Sequence, residues 1–168
     1  DRAMQEVEVD AAKGSQRTLE FERIGSEEAA LNIIQRVVDE GRCIAWVRNT
    51  VDSAIDSYRE VREVVGTESV TLFHSRFTRS DRKTIGDEVL STFGKDSDGQ
   101  SRRGQVVIAT QVIEQSLDLD FDYLITDLAP IDLLIQRAGR CRRHVRDEAG
   151  NTLDSSERSN DERPESPI

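Results

Sequence analysis

Two patterns of hydrophobic and polar positions alternate along this 168-residue chain. After Ser26, apolar residues recur at the spacing of an amphipathic helix until Gly41. Residues 43–47 (CIAWV) are instead continuously apolar, which is typical of a strand buried on both faces. The same patterns predict further helices from Asn49–Thr50 to about Val65, over Thr78–Phe93 and from Pro130 to near Gly139, and further strands at Val70–Phe73, Val106–Ala109 and Phe121–Ile125.

This alternation of strands and helices predicts an α/β domain, in which a parallel sheet carries helices on both faces. We expect the domain to span residues 17–146 and residues 1–16 to be a linker or an edge segment. Residues 147–168 are rich in Pro, Ser and Glu and contain few large apolar side chains. Because such a segment cannot offset its ordering entropy by burial, we predict an acidic flexible tail or linker.

The composition narrows the class of protein. The formal net charge of −10 is unusual for a nucleic-acid-binding protein, but the acidic residues concentrate near the two ends. Any nucleic-acid-binding surface is therefore expected to be local. Two cysteines without a CxxC pair fit neither a disulfide scaffold nor a zinc site, and they suit a reducing cytoplasm. No apolar run approaches the ~18 residues of a membrane span, so we expect no membrane partner.

Polar segments follow each predicted strand. Residues 48–50, 74–76 and 110–111 follow the first three strands, and Asp127 follows the fourth. Ligands of parallel sheets bind beyond the carboxyl ends of the strands, where hydroxyl, amide and backbone N–H groups contact phosphates without reading base sequence. Each segment could instead cap a helix, but three of them at one rim favour a phosphate-tracking surface. His74 has no metal-spaced partner and is interpreted as a strand-end residue.

The strongest candidate for a binding site is the basic segment at residues 136–143 (QRAGRCRR). A favourable position at a helix C-terminus explains one or two cations, but this segment holds four arginines. They would repel one another unless an anion met them, and guanidinium groups match the geometry of phosphate oxygens. The segment therefore predicts a site for a triphosphate or for a nucleic-acid backbone.

Residues 136–143 resemble motif VI of superfamily-two helicases, residues 107–120 resemble motif V, and residues 44–51 resemble motif IV. The three motifs occur in the order found in that superfamily. Within it, residues 110–140 and the stretch 74–82 (HSRFTRSDR) are most similar to the CRISPR-associated helicase-nuclease of type I interference systems. Ser116 stands where many relatives have glycine, and with the following Leu-Asp-Leu-Asp it points to this branch.

The resemblance implies a RecA-like helicase motor domain, the second of two in an ATP-dependent enzyme. Arg140 and Arg143 would be arginine fingers that reach the γ-phosphate of ATP held by the first domain. Gln136 would lie beside the same phosphates. Asp118 would be associated with the ATP ribose and with alignment of the fingers.

The resemblance also implies contacts with the backbone of single-stranded DNA. Thr110 of motif V and Asn49 and Thr50 of motif IV would make them, with Arg76 as a further candidate. The implied partners are the first RecA-like domain, single-stranded DNA, a CRISPR surveillance complex and a nuclease domain.

The residues that would hold ATP are absent from this sequence. A phosphate-binding P-loop reads GxxxxGK[ST], but Asp96 follows Gly94-Lys95, and Val89 stands at the position of the first glycine. Residues 147–150 (DEAG) resemble a DEAD/DEAH box, yet they lie beyond motif VI without a preceding strand. We therefore expect ATP and Mg²⁺ to be held mainly by the first domain and this fragment to be inactive alone.

Two alternatives remain open from the sequence. One is the C-terminal domain of another superfamily-two helicase, acting on RNA or duplex DNA. The other is a non-catalytic docking module, although such a module has no need of Arg140 and Arg143 in register with Asp118.

Overall fold

The computed structural model describes residues 21–114, 117–153 and 161–164. The predicted linker 1–16 and Ser116 of motif V lie outside the described residues. The predicted tail is described in two stretches, 147–153 and 161–164, and both contact the domain. The boundary predicted at residue 146 stays a prediction.

The predicted helices and strands occur in the predicted order. The elements are α1 (Glu27–Asp39), β1 (Ile44–Val47), α2 (Val51–Val65), β2 (Val70–Phe73), α3 (Arg79–Phe93), α4 (Gly99–Arg102), β3 (Val106–Ala109), β4 (Tyr123–Thr126) and α5 (Ile131–Ala138). Single 3₁₀ turns lie at Thr67–Ser69 and Gln111–Glu114. The last strand begins later than predicted, at Tyr123, because Phe121 pairs with Cys141 in an isolated bridge. Among the described helices, none has the length and hydropathy to cross a membrane.

The four strands form one parallel sheet in the order β2-β3-β1-β4. Val47 lies opposite both Ala109 and Thr126, and Phe73 lies opposite Ala109. All four strands therefore end at the same edge, which we call the carboxyl rim. The segments that follow the strands meet there, as the sequence predicts.

Side chains pack on both faces of the sheet. On one face, Ile34 of α1 and Val61 of α2 pack with Trp46 and Ile108. On the other face, Val89 and Phe93 of α3 pack with alternate residues of the same strands, such as Val47 and Ala109. Burial on both faces explains why the strands are rich in apolar residues. The predicted parallel α/β class is confirmed.

Hydroxyl groups cap three of the helices. The Ser26, Thr50 and Thr78 side chains each accept a hydrogen bond from a backbone N–H three residues later, at 3.1 to 3.2 Å. These bonds satisfy N–H groups that have no partner within the helix. Thr50 thereby places the start of α2 at the carboxyl rim.

Candidate functional site

The loops that follow β1, β3 and β4 are joined through Asn49. Its backbone N–H donates to Asp127 Oδ2 at 2.8 Å, and its side-chain amide donates to the Leu128 carbonyl at 2.8 Å. Gln111 Nε2 in turn donates to the Asn49 carbonyl at 2.9 Å. The end of β2 joins through Thr110, whose N–H donates to the carbonyl of Phe73, the last residue of β2, at 3.2 Å. The carboxyl rim is therefore a connected polar surface.

Arg137 of motif VI is buried beneath this surface. It is 0% exposed, and its Nε donates to Glu114 Oε1 at 2.7 Å. Its Nη1 donates to Thr126 Oγ1 at 2.8 Å and contacts the Asn49 Oδ1 and Asp127 carbonyl oxygens at 3.3 Å. One arginine of the basic segment thus holds three loops together from inside. Sequence patterns could not distinguish Arg137 from the other three arginines of the basic segment.

Arg140 is partly buried against motif V. Its guanidinium donates to the carbonyl oxygens of Leu117 and Glu114, the latter at 3.1 Å. Burial and the nearby charge of Arg143 lower the pKa of Arg140. An arginine remains protonated even so, so this side chain brings a positive charge to the end of motif V.

Arg143 and Asp118 form an ion pair at the surface. The Arg143 Nε lies 2.6 Å from Asp118 Oδ1, and the two side chains are 45% and 47% exposed. His144 Nε2 lies 3.1 Å from the same oxygen. Burial alone would raise the pKa of Asp118, but His144 and Arg143 outweigh it and hold the pKa below its usual value. Asp118, Arg140 and Arg143 are therefore brought together.

Gln136 and Arg142, which also belong to the basic segment, lie in different surroundings from each other. Gln136 is exposed on the last turn of α5. Arg142 has a φ of 52°, which is uncommon for a residue with a side chain. It pairs with Asp161 at 3.3 Å and donates to the Arg163 carbonyl at 2.8 Å.

The side chains of three of the four residues predicted to bind nucleic acid make internal hydrogen bonds or ion pairs. The Asn49 side chain donates to the Leu128 carbonyl and accepts from Arg137. Thr50 caps α2 and donates to Ser53 Oγ at 2.8 Å. Arg76 is exposed and pairs with Asp52 in the first turn of α2, which lowers the pKa of Asp52. Thr110 is 1% exposed. These contacts are the ones expected of caps and loop ties, and the role of all four residues on DNA stays a prediction.

His74 is buried at the end of β2. Its ring stacks on Phe77 with 4.1 Å between the ring centroids, and burial lowers its pKa. This environment agrees with the interpretation of His74 as a strand-end residue. Across the described ranges, no group of three or more His, Cys, Asp or Glu side chains is arranged to hold a metal ion.

A group of buried charges lies at the opposite end of β4 and was not predicted from the sequence. Asp120 is 0% exposed and Asp122 4% exposed, and Arg102, Arg146 and Arg163 surround them. Acidic residues beside a buried strand, in residues 118–122 (DLDFD), were the signal available in the sequence. The partners could not be found in the same way, because Arg163 lies in the polar stretch interpreted as a tail.

Comparison with known proteins identifies the family. A family model described as CRISPR-associated nuclease/helicase Cas3, C-terminal, matches residues 40–146. The CRISPR-associated endonuclease/helicase Cas3 of Escherichia coli (strain K12) is 42% identical over 120 residues, which cover 69% of this chain and 13% of that protein.

Solved structures agree with this match. The crystal structure of T. fusca Cas3-ATP has a TM-score of 0.64 and 38% identity, and the match covers 76% of this chain and 15% of that one. A chain of a CRISPR RNA-guided surveillance complex, pre-nicking, has a TM-score of 0.60 and 40% identity, over 71% of this chain and 14% of that one. The chain therefore spans about a seventh of the relatives it matches.

These matches confirm both the RecA-like fold and the resemblance inferred from motifs IV, V and VI. They also decide against another branch of the helicase superfamily, which the sequence alone left open. The chain belongs to the family of the C-terminal region of the CRISPR-associated nuclease/helicase Cas3.

Proposed function

We propose that this chain is the second motor domain of an ATP-dependent single-stranded-DNA helicase or translocase that acts in CRISPR interference. It supplies Arg140 and Arg143 to ATP held by the first motor domain. The observation that carries the proposal is the grouping of Arg140, Arg143 and Asp118 where motif V meets motif VI. Relatives named nuclease/helicase and a relative solved with ATP support it.

The donor groups suit a polyphosphate. Arg143 is half exposed, and its partner Asp118 is a surface carboxylate. Exchange of a surface ion pair for a phosphate costs little, because such pairs are worth about 0–1 kcal/mol. Gln136, exposed one helical turn before Arg140, adds an amide donor beside the same phosphates. Mg²⁺ belongs with the first domain in this proposal.

The two fingers have separate tasks during hydrolysis. Bound ATP supplies the γ-phosphoryl group, whose equatorial oxygens gather negative charge during transfer. Arg143 leaves Asp118 and places its guanidinium against that charge. Arg140 stays on the motif V carbonyls and adds a second positive charge, so that both residues act on the transition state more than on the ground state.

The carboxyl rim is the proposed path of single-stranded DNA. Thr110, Asn49, Thr50 and Arg76 lie along it, on loops joined by hydrogen bonds. A connected rim lets a change at motif V shift the DNA contacts together. The solved surveillance complex that contains a relative supports a CRISPR surveillance complex as a partner, and the names of the relatives support a nuclease domain.

The finger proposal is tested in the full-length enzyme. Arg140→Ala or Arg143→Ala should lower kcat for DNA-stimulated ATP hydrolysis at least about a hundredfold and change the KM for ATP much less. Arg59→Ala, which removes an exposed arginine from α2, serves as the control and should turn over like the wild type. Wild-type turnover in both finger variants would contradict the proposal.

A further inference from the structure

Buried ions tie motif V to the chain beyond motif VI. Asp120, Asp122, Arg102, Arg146 and Arg163 form this ion cluster, and each of the five side chains is at most 6% exposed. Charges are costly to bury, and buried ion pairs rarely stabilise a fold more than apolar packing does. Their best-attested use is to fix one geometry among alternatives. The geometry fixed here includes the backbone of a proposed finger.

Asp120 holds that backbone directly. Its Oδ1 accepts the N–H of Arg143 at 2.7 Å, and its Oδ2 accepts Arg146 Nε at 2.5 Å. The neighbouring Phe121 continues the contact, since its N–H donates to the Arg140 carbonyl at 2.9 Å and its carbonyl accepts the Arg142 N–H at 2.7 Å. The path of residues 140–143 is therefore set by Asp120 and Phe121.

Arg163 holds the same segment from the other side. Its Nη1 contacts Asp120 at 3.2 Å and Asp122 at 2.9 Å, and its Nη2 donates to the His144 carbonyl at 2.7 Å. Asp161 orients the guanidinium through its Nε and Nη2. Arg163 thus bridges Asp120, which accepts from the Arg143 N–H, and His144, which follows Arg143 in the chain.

We propose that Asp120 and Arg163 are positioning residues for Arg143. They fix the backbone at residues 143 and 144, so that the Arg143 guanidinium is directed toward the γ-phosphate site with Asp118 as its resting partner. Both residues are buried, so we expect neither to touch ATP or DNA. Residues 161–164 act in this view as a clasp on the motor domain. The inference rests on the finger role proposed for Arg143.

The first test is turnover of the full-length enzyme with single-stranded DNA. Arg163→Met should lower kcat for ATP hydrolysis about tenfold with the KM for ATP changed less than about twofold, because a misplaced finger loses transition-state contacts. Arg163→Lys keeps the charge and one carboxylate contact, and it should recover part of the loss. Unchanged kcat in Arg163→Met would overturn the inference.

A double-mutant cycle separates positioning from stability. If Arg163 acts through Arg143, the variant Arg163→Met/Arg143→Ala should turn over no more slowly than Arg143→Ala alone. A full additional tenfold loss would overturn the inference while leaving the finger role intact. Wild-type turnover in Arg143→Ala would instead remove the proposed function, and the inference with it.

A stability control completes the design. Val61→Ala opens a cavity in α2 under the opposite face of the sheet, and it should lower the melting temperature while keeping kcat within about twofold of the wild type. A kcat loss equal to that of Arg163→Met would assign the effect to stability and overturn the inference. If Arg163→Met does not fold, Asp161→Asn is the milder variant, since Asp161 lies at the edge of the cluster and is 18% exposed. It should lower kcat about threefold with the same non-additivity.

Discussion

Arg137, Arg140 and Arg143 recur at three-residue spacing, and each meets a different environment. Arg137 is fully buried on Glu114, Arg140 lies on backbone carbonyls, and Arg143 shares a surface pair with Asp118. The freedom of each guanidinium follows from its surroundings, because a buried ion pair is costly to break and a surface pair is not. The three arginines of this one motif therefore differ in how firmly their surroundings hold each guanidinium.

Asp122 makes stability sensitive to acid. Burial raises its pKa, but Arg102, the Cys43 N–H and Arg163 outweigh burial and lower it from 3.8 to about 2. A carboxyl whose folded pKa is depressed contributes stability above its unfolded pKa and loses it as the pH falls toward the folded value. The contribution is roughly 2 kcal/mol, lost between about pH 4 and pH 2.

Urea unfolding of the chain at several pH values checks this prediction. The free energy of unfolding should decline with acid less steeply in Asp122→Asn than in the wild type. Asp132→Asn, which removes an exposed carboxyl from α5, is the comparison and should keep the wild-type slope. Equal slopes for the wild type and Asp122→Asn would contradict the prediction.

At the scale of elements, each of the rim loops starts or joins a secondary-structure element. The side chain of Thr50 begins α2, and Gln111 opens the turn after β3 while contacting the loop after β1. Since these groups satisfy the protein's own N–H and C=O groups, any phosphate contact must coexist with capping. This overlap explains why sequence patterns alone leave both roles possible.

A pair of matched caps distinguishes the two roles. Thr50 and Thr78 each cap a helix with a hydroxyl, so Thr50→Ala and Thr78→Ala should each cost about 1 kcal/mol of stability. If Thr50 also holds DNA, only Thr50→Ala should weaken single-stranded DNA binding by the full-length enzyme. Equal DNA affinity in both variants would leave Thr50 as a cap alone.

Thr110→Ala tests the predicted nucleic-acid contact at a residue that is only 1% exposed in the structure. Because backbone contacts carry no sequence information, binding should weaken equally for all base sequences. The slope of affinity against salt concentration should not change, since a neutral hydroxyl releases no counterion. A loss confined to particular base sequences would contradict a backbone contact.

Patterns in the sequence were sufficient for the long elements and not for the contacts between them. Ser26 and Thr78 marked helix starts, and short runs rich in apolar residues marked all four strands. Residues 99–102 were not predicted as a helix, because one turn is too short to show a period. The contacts of Arg137 and Arg163 were not predicted for another reason. Their partners are distant in the sequence and come close only in the folded chain.

At the scale of the whole molecule, the proposed function divides the ATP site between two domains. It carries candidate fingers, but its sequence contains no P-loop, and it spans about a seventh of its relatives. Affinity for ATP from a few exposed phosphate contacts amounts to about 4 kcal/mol, which corresponds to roughly millimolar binding.

Calorimetry with the chain alone tests the division of the site. We expect no ATP hydrolysis and a Kd for ATP no tighter than about 1 mM. The full-length enzyme is the positive control, and it should bind ATP more tightly under the same conditions. Micromolar binding by the chain alone would contradict a site divided between two domains.

Arg146 and Arg163 both pair with Asp120, so these two ion pairs close a loop in the sequence between residues 146 and 163. The entropy of closing a loop grows only with the logarithm of its length, and doubling this one costs about 0.6 kcal/mol. Insertions between residues 153 and 161 should therefore be tolerated, whereas truncation just after Arg146 would remove Arg163, which contacts both Asp120 and Asp122. The loop is a natural place to graft a fluorescent reporter on this domain, provided that both anchors are kept.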